Sequence, residues 1–226
     1  MRIGIASAET PTWPKMDWVE QAARNLGHDV VRVKSAKDLP ELLSCSDFVI
    51  LGHKSLAGRY PNIIKALKNR QCPVAYWWFD LIALDVGVPL DEQVYFKQWR
   101  PTMEHCDLVL VKEQSMLDEY HDAEIDAYYF DQGCPSDIPR VNYDANKEWD
   151  LMVWGQSNNH YHLRRGEVEE VVNQGFDVAW AGSVVPGTET LPHLLPFEIP
   201  ETASHASCVL SCGRRNDVGG YWSDQL

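Results

Sequence analysis

The sequence predicts an α/β protein built from two doubly wound parallel-sheet domains, the second of them incomplete. Three observations carry that expectation. Short apolar runs alternate with amphipathic stretches along residues 1–133, the pattern of strands buried on both faces by intervening helices. The alternation stops over residues 134–149, "CPSDIPRVNYDANKEW", where two prolines and a polar, aperiodic composition read as a linker. It then restarts near residue 150 but runs only to residue 226, too short a span to repeat the first domain in full.

Each element has its own local reason. "RIGIAS" (2–7) is a strand candidate. "DWVEQAARNLGH" (17–28) places Val19, Ala22, Ala23 and Leu26 at helical spacing, with Gly27 as its stop. "DVVRVK" (29–34) is a strand, "KDLPELLSC" (37–45) a short helix, and "SDFVILGH" (46–53) a strongly apolar strand. "YPNIIKALKNR" (60–70) is helical with Pro61 at its opening turn. "PVAYWWFD" (73–80) is a strand apolar on both faces, and "DEQVYFKQWRPTMEHC" (91–106) is mainly helical around Pro101. "DLVLVKE" (107–113), "EQSMLDEYHD" (113–122) and "DAYYFDQG" (126–133) read as strand, helix and strand. After the linker, "WDLMVWGQ" (149–156) is a strand, "LRRGEVEEVVNQG" (163–175) a helix and "FDVAWAG" (176–182) a strand. "VVPGTETLPHLLPFEIP" (184–200) reads as a Pro-rich loop, and "ETASHASCVLSC" (201–212) as a short helix running into a strand. The expected domains are therefore 1–133, Rossmann-like, and 150–226, partial and Rossmann-like. The tail "GGYWSDQL" (219–226) reads as a loop entering a helix, with Ser223 and Asp224 as cap candidates and no helix after them.

Composition narrows the class. The formal net charge is -13, so a broad phosphate-binding surface for nucleic acid is not expected. The six cysteines, Cys45, Cys72, Cys106, Cys134, Cys208 and Cys212, form no CxxC and several flank apolar runs, which suits reduced thiols in a cytoplasmic protein. The opening "MRIGIASAET" has no apolar signal region, and no run reaches the ~18 apolar residues of a membrane span.

In open parallel sheets ligands sit beyond the C-terminal ends of the strands. The residues there are Ser7, Glu9, His53, Lys54, Asp80, Lys112, Glu113, Asp131 and Gln132 in the first domain. In the second they are Gly155, Gln156, Ser157, Gly182, Ser183 and 212–215, which include Arg214 and Arg215. The first turn, "GIASAETPTW", lacks GxGxxG, so a dinucleotide clamp is not expected there. The turn "WGQSNNHYHLRRGEVEE" differs. Gly155 lets backbone approach a ligand, and a helix opening at Arg164 and Arg165 suits a diphosphate, although the same residues also make a plain polar loop. "WAGSVVPG" offers backbone groups at Gly182 and Ser183 for a base or ribose, or is an ordinary loop. His53 and Asp80 each close an apolar strand and are the candidates for general base, against a reading as a cap or loop contact. His160 and His162 lack a third ligand at useful spacing, and "EID" (124–126) precedes its strand, so no metal site is expected. No nucleophile elbow is present.

Three stretches, "YYFDQGCPSD", "DLMVWGQSNNHYHLRRGEVEEVV…GFDVAWAGS" and "GGYWSDQL", give the chain a resemblance to GT-B glycosyltransferases, in particular to the CgeB-like, family 1-type branch found in bacteria and phages. That resemblance implies a nucleotide sugar held by the C-terminal domain, with no further cofactor and no obligatory metal, and an acceptor held by the N-terminal one. On it, the donor residues are Gly155, Gln156, Arg164, Arg165, Gly182, Ser183, Arg214, Arg215, Tyr221 and Ser223, and the acceptor residues are Ser7, Glu9, Lys54, Lys112 and Gln132. His53 or Asp80 supplies the base. The acceptor itself stays open: a glycan, a protein, a small molecule or a modified nucleic acid. Gln225 stands where the family motif carries arginine, and the acidic residue of the family's next helix lies beyond Leu226. Two alternatives stand beside the transferase: a sugar-nucleotide epimerase of similar two-domain fold, and a non-catalytic sugar- or nucleotide-binding module.

Overall fold

The computed structural model describes residues 1–7, 15–52, 61–78, 88–112, 114–130, 141, 146–155, 162–182, 184–192, 194 and 198–210. The chain divides into two compact units, the first within Met1–Gly133 and the second within Cys134–Asn216.

The first unit is a six-stranded, wholly parallel sheet. Its strands are β1 (Arg2–Ala6), β2 (Asp29–Val33), β3 (Phe48–Gly52), β4 (Val74–Trp77), β5 (Leu108–Val111) and β6 (Ala127–Tyr129), in spatial order β2-β1-β3-β4-β5-β6. The chain runs outward from β1 to β2 and then returns past β1 to β3. The direction of winding therefore reverses between β1 and β3, the place where doubly wound sheets open a crevice. Register is continuous across that point, with Ile3 opposite Phe48 and Ala6 opposite Leu51.

Helix α1 (Lys15–Asn25) connects β1 to β2 and covers one face, where Met16, Ala23, Ile3, Ile5, Val30 and Trp77 pack together. Helices α2 (Leu39–Cys45), α3 (Pro61–Lys68), α4 (Val94–Met103) and α5 (Leu117–Asp122) cover the other. Right-handed crossovers require this split, because a connection moving left across the sheet and one moving right place their helices on opposite faces. The larger core includes Leu42, Leu51, Leu67, Tyr76, Trp78 and Phe96. Strand alternation decides allegiance: Tyr76 and Trp78 belong to the larger cluster, and Trp77 between them to the smaller.

Three expected helices open differently from their periodicity. Single 3-10 turns, Ala36–Asp38, Leu90–Glu92 and Gln114–Met116, precede α2, α4 and α5. Pro40 sits in the first turn of α2, and Pro101 lies within the last turn of α4, where the helix ends at Met103.

The second unit is a four-stranded parallel sheet of β7 (Trp149–Trp154), β8 (Val178–Ala181), β9 (Glu189–Leu191) and β10 (Ala206–Leu210), in order β10-β7-β8-β9. Its winding reverses between β7 and β10. Helix α6 (His162–Asn173) packs Val168 on Leu151, Val153, Val178 and Trp180, while α7 (Ile199–Ser204) closes the opposite face over Met152, Ala181 and Ala206. The span 184–200, expected to be loop, contains β9. It is an edge strand of three residues with two of them exposed, too short and too polar to show a strand period.

Candidate functional site

Each sheet presents its strand ends along one edge. In the second unit the central strand β7 runs into Gly155 at φ 125°, and the adjacent β8 runs into Gly182 at φ 90°. Both angles lie where a side chain is strained, so glycine is demanded at both places. The two turns are tied together. The Gly155 N–H donates to the Ala181 carbonyl (3.1 Å), extending the ladder past β7. The Trp180 indole Nε1–H donates to the Gly155 carbonyl (2.7 Å), and its ring is fully buried. The backbone bend after β7 is thus fixed from beneath by a core side chain. Gly155 stands beside the end of β10, at the reversal of winding, because Leu210 is in register with Val153.

Helix α6 follows that turn. Arg165 lies in its first turns, exposed, with Nε donating to Glu169 Oε1 (2.6 Å), an i,i+4 pair along the helix surface. Gly166 has open space where a Cβ would stand. Arg164 belongs to α6 by its backbone. Gln156, Ser183, Arg214, Arg215, Tyr221 and Ser223 lie outside the described residues.

In the first unit the matching edge is carried by Ser7, Gly52, Trp78 and Lys112. Ser7 is fully buried after β1; its N–H donates to the Val33 carbonyl (3.1 Å), and its Oγ has no hydrogen-bond partner among the described residues. Buried hydroxyls are normally satisfied, so this one is suited to a bound polar group or an ordered water. Gly52 ends β3. A Cβ there would stand 2.3 Å from Met16 Cε, so the glycine exists to seat Met16 against the sheet at the reversal between β1 and β3. Trp78 prolongs β4 by donating its N–H to the Leu110 carbonyl (2.9 Å), and Lys112 is buried at the end of β5. Glu9, His53, Lys54, Asp80 and Gln132 lie outside the described residues.

Gly4, the one glycine of the first strand-helix stretch, serves packing. A Cβ on it would stand 2.7–2.9 Å from Ser46, Leu42 and Val49, so it admits α2 to the sheet.

The shifted acid-base pair of the first sheet, Arg70 and Asp107, sits at the opposite, N-terminal edge. The hydrogen bond from Arg70 holds the Asp107 carboxyl below its ordinary value, and the reciprocal bond raises Arg70. Burial pushes the neighbouring Cys106 thiol up to about 12. These groups fix strand starts; they do not mark a reactive centre. Among the described residues no group of three or more His, Cys, Asp or Glu is placed to hold a metal ion. No described helix is long and apolar enough to cross a membrane.

Sequence reasoning missed Trp180, Gly52 and Met16. Nothing in "FDVAWAG" distinguishes a tryptophan that holds a turn from one that merely fills a core.

No protein-family model and no curated protein matches the chain. Solved structures do. A UDP-N-acetylglucosamine 2-epimerase aligns with a TM-score of 0.55 at 10% identity, over 92% of this chain and 73% of its own. The spinosyn forosaminyltransferase SpnP aligns with a TM-score of 0.52 at 11% identity, over the same shares. At such identities the likeness is one of fold, and that fold is the GT-B-like pair of Rossmann domains.

Proposed function

We propose that this chain acts on a nucleotide-activated sugar, as a glycosyltransferase that delivers the sugar to an acceptor hydroxyl. The observation that carries the reading is the pair of glycine turns at the ends of β7 and β8. They make adjacent bends without a Cβ at the strand-end edge of the second sheet, Gly155 beside the winding reversal and Gly182 on the next strand, and Trp180 fixes the Gly155 bend. Fixed bends that a ligand can approach closely, with no Cβ in the way, suit a diphosphate and a ribose. The enzymes named in the two structural matches, one for a UDP sugar and one a sugar transferase, share the fold and support the same substrate class.

In the proposed reaction the acceptor oxygen bonds to the anomeric carbon while the bond from that carbon to the phosphate oxygen breaks. The hydroxyl proton passes to a base, His53 or Asp80, and the nucleoside diphosphate leaves with the electron pair. Gly155, Gln156, Gly182 and Ser183 contact the donor, with Arg164, Arg165, Arg214 and Arg215 neutralising the diphosphate and Tyr221 and Ser223 completing its pocket. For Arg165 this requires its guanidinium to leave Glu169, an exposed pair of the kind worth at most about 1 kcal/mol. Ser7, Glu9, Lys54, Lys112 and Gln132 form the acceptor side, with the Ser7 hydroxyl the group in want of a partner.

The epimerase match supports a second reading, in which the same donor is converted without an acceptor. One experiment separates them. The protein is incubated with UDP-N-acetylglucosamine and with a panel of other sugar nucleotides, with and without simple glycoside acceptors, and products are followed by proton NMR. Acceptor-dependent release of nucleoside diphosphate supports the transferase. Conversion to the 2-epimer without acceptor replaces it with the epimerase. If no sugar nucleotide or nucleoside diphosphate raises the melting temperature, the whole reading fails, since a ligand specific to the folded state must stabilise it.

A further inference from the structure

The helix layer over the first sheet contains a groove between α2 and α3. Its volume is about 470 Å3, within the ~300–1,000 Å3 of small-molecule sites. The floor is apolar: Leu43, 3% exposed, and Ala66. The rim carries Lys37 from the 3-10 turn before α2, Lys65 from α3, and the amides of Asn62 and Gln71. α3 turns one stripe to this groove, with Lys65 and Ala66 three and four residues after Asn62, and Asn69 lines it just past the end of the helix. Among the described residues no carboxylate lines it, although Asp38 and Glu41 are close in sequence, and neither lysine has an ion-pair partner there. In a chain with 33 acidic and 20 basic residues, two such ammonium groups on one cavity are a local reversal of sign. A second groove in the same helix layer shows the contrast. It measures about 430 Å3 and is lined by Asp91, Glu119, Asp122 and Glu124 around a single Arg100.

We propose that the α2–α3 groove binds a small organic phosphate monoester. Its dianion answers the two ammonium groups, its terminal phosphoryl oxygens accept from the Asn62 and Gln71 amides, and its apolar body lies on Leu43 and Ala66. A phosphate monoester carries roughly -1.5 to -2 charges at pH 7, matching two lysines better than a carboxylate does. The site is independent of the sugar-nucleotide reading, and it is tested by binding instead of turnover.

The probes are phenyl phosphate, benzoate, inorganic phosphate and benzyl alcohol. They are titrated into the full chain and followed by the Asn and Gln side-chain amide resonances and by melting temperature. Phenyl phosphate is expected to bind saturably, benzoate and inorganic phosphate more weakly, and benzyl alcohol not at all. Lys37→Glu with Lys65→Glu is expected to weaken phenyl phosphate at least about tenfold, while Arg165→Ala leaves its affinity unchanged. Both lysines are exposed, so an unaltered melting temperature without probe verifies that the double variant folds. Equal affinity of the double variant for phenyl phosphate overturns the proposal. So does inorganic phosphate binding as tightly as the ester, because the apolar floor would then contribute nothing.

Discussion

Two residues show how narrowly the strand ends are specified. Gly52 has no room for a methyl group against Met16, which is fully buried. Gly52→Ala is expected to destabilise by about 1–3 kcal/mol, the usual cost of overpacking. Pairing it with Met16→Ala should recover part of that loss, and a chemical-denaturation double-mutant cycle measures the coupling; strict additivity would show that the two do not meet. Trp180 acts through Gly155. Trp180→Phe keeps most of the ring volume but removes the donor to the Gly155 carbonyl, so a cost of about 1–2 kcal/mol is expected. If the turn is the donor cradle, the same variant raises the Kd for the nucleoside diphosphate while the melting profile stays cooperative. A stability loss with unchanged affinity would place the ligand elsewhere. Neither dependence was visible in the sequence, since both are contacts between elements far apart along the chain.

The elements begin by a shared device. Asp47, Asp107 and Asp150 each stand at or just before the start of a strand, and each carboxylate accepts the N–H that opens the neighbouring strand: Arg2 (2.7 Å), Val74 (2.8 Å) and Asp177 (2.9 Å). Each also donates its own N–H to the carbonyl of that same residue, at 2.8, 2.8 and 2.9 Å, closing a reciprocal pair at the sheet's lower edge. Asp107 adds Arg70, whose Nη2 lies 2.8 Å away. Asp107→Ala is expected to cost about 1 kcal/mol at neutral pH, discounted because the carboxylate is half exposed. The folded Asp107 pKa is lowered below the unfolded value. Its contribution is therefore complete above the ordinary carboxylate pKa and disappears as pH falls through the folded one. Denaturation of the wild type and of Asp107→Asn across pH 2–7 should converge at the acid end; a difference that persists there would refute the ion-pair account. The strands were legible as the apolar runs of "SDFVILG", "DLVLV" and "WDLMVW", but the partner of each aspartate was not, because it lies at the start of a neighbouring strand. The short edge strand β9 was not, since three residues carry too little period to separate from loop.

For the whole molecule, the proposal places the donor on the smaller sheet. Hydrogen exchange with saturating UDP sugar should slow at Gly155, Gly182 and the start of α6 and leave β4 to β6 unchanged. Protection confined to the first unit would move the donor there. The sequence by itself determined the α/β class, the order of nearly all the elements and the lack of a GxGxxG turn, because periodicity and turn chemistry are local. Only the tertiary structure decided the strand orders, and with them which ends lie at the two winding reversals. It also decided that Gly4 serves packing, that Trp180 supports Gly155, and that the shifted carboxylate Asp107 belongs to the strand-start edge of its sheet. Those outcomes depend on which strands become neighbours, and neighbours in a parallel sheet are chosen by crossovers and packing across the chain, where local sequence carries no signal.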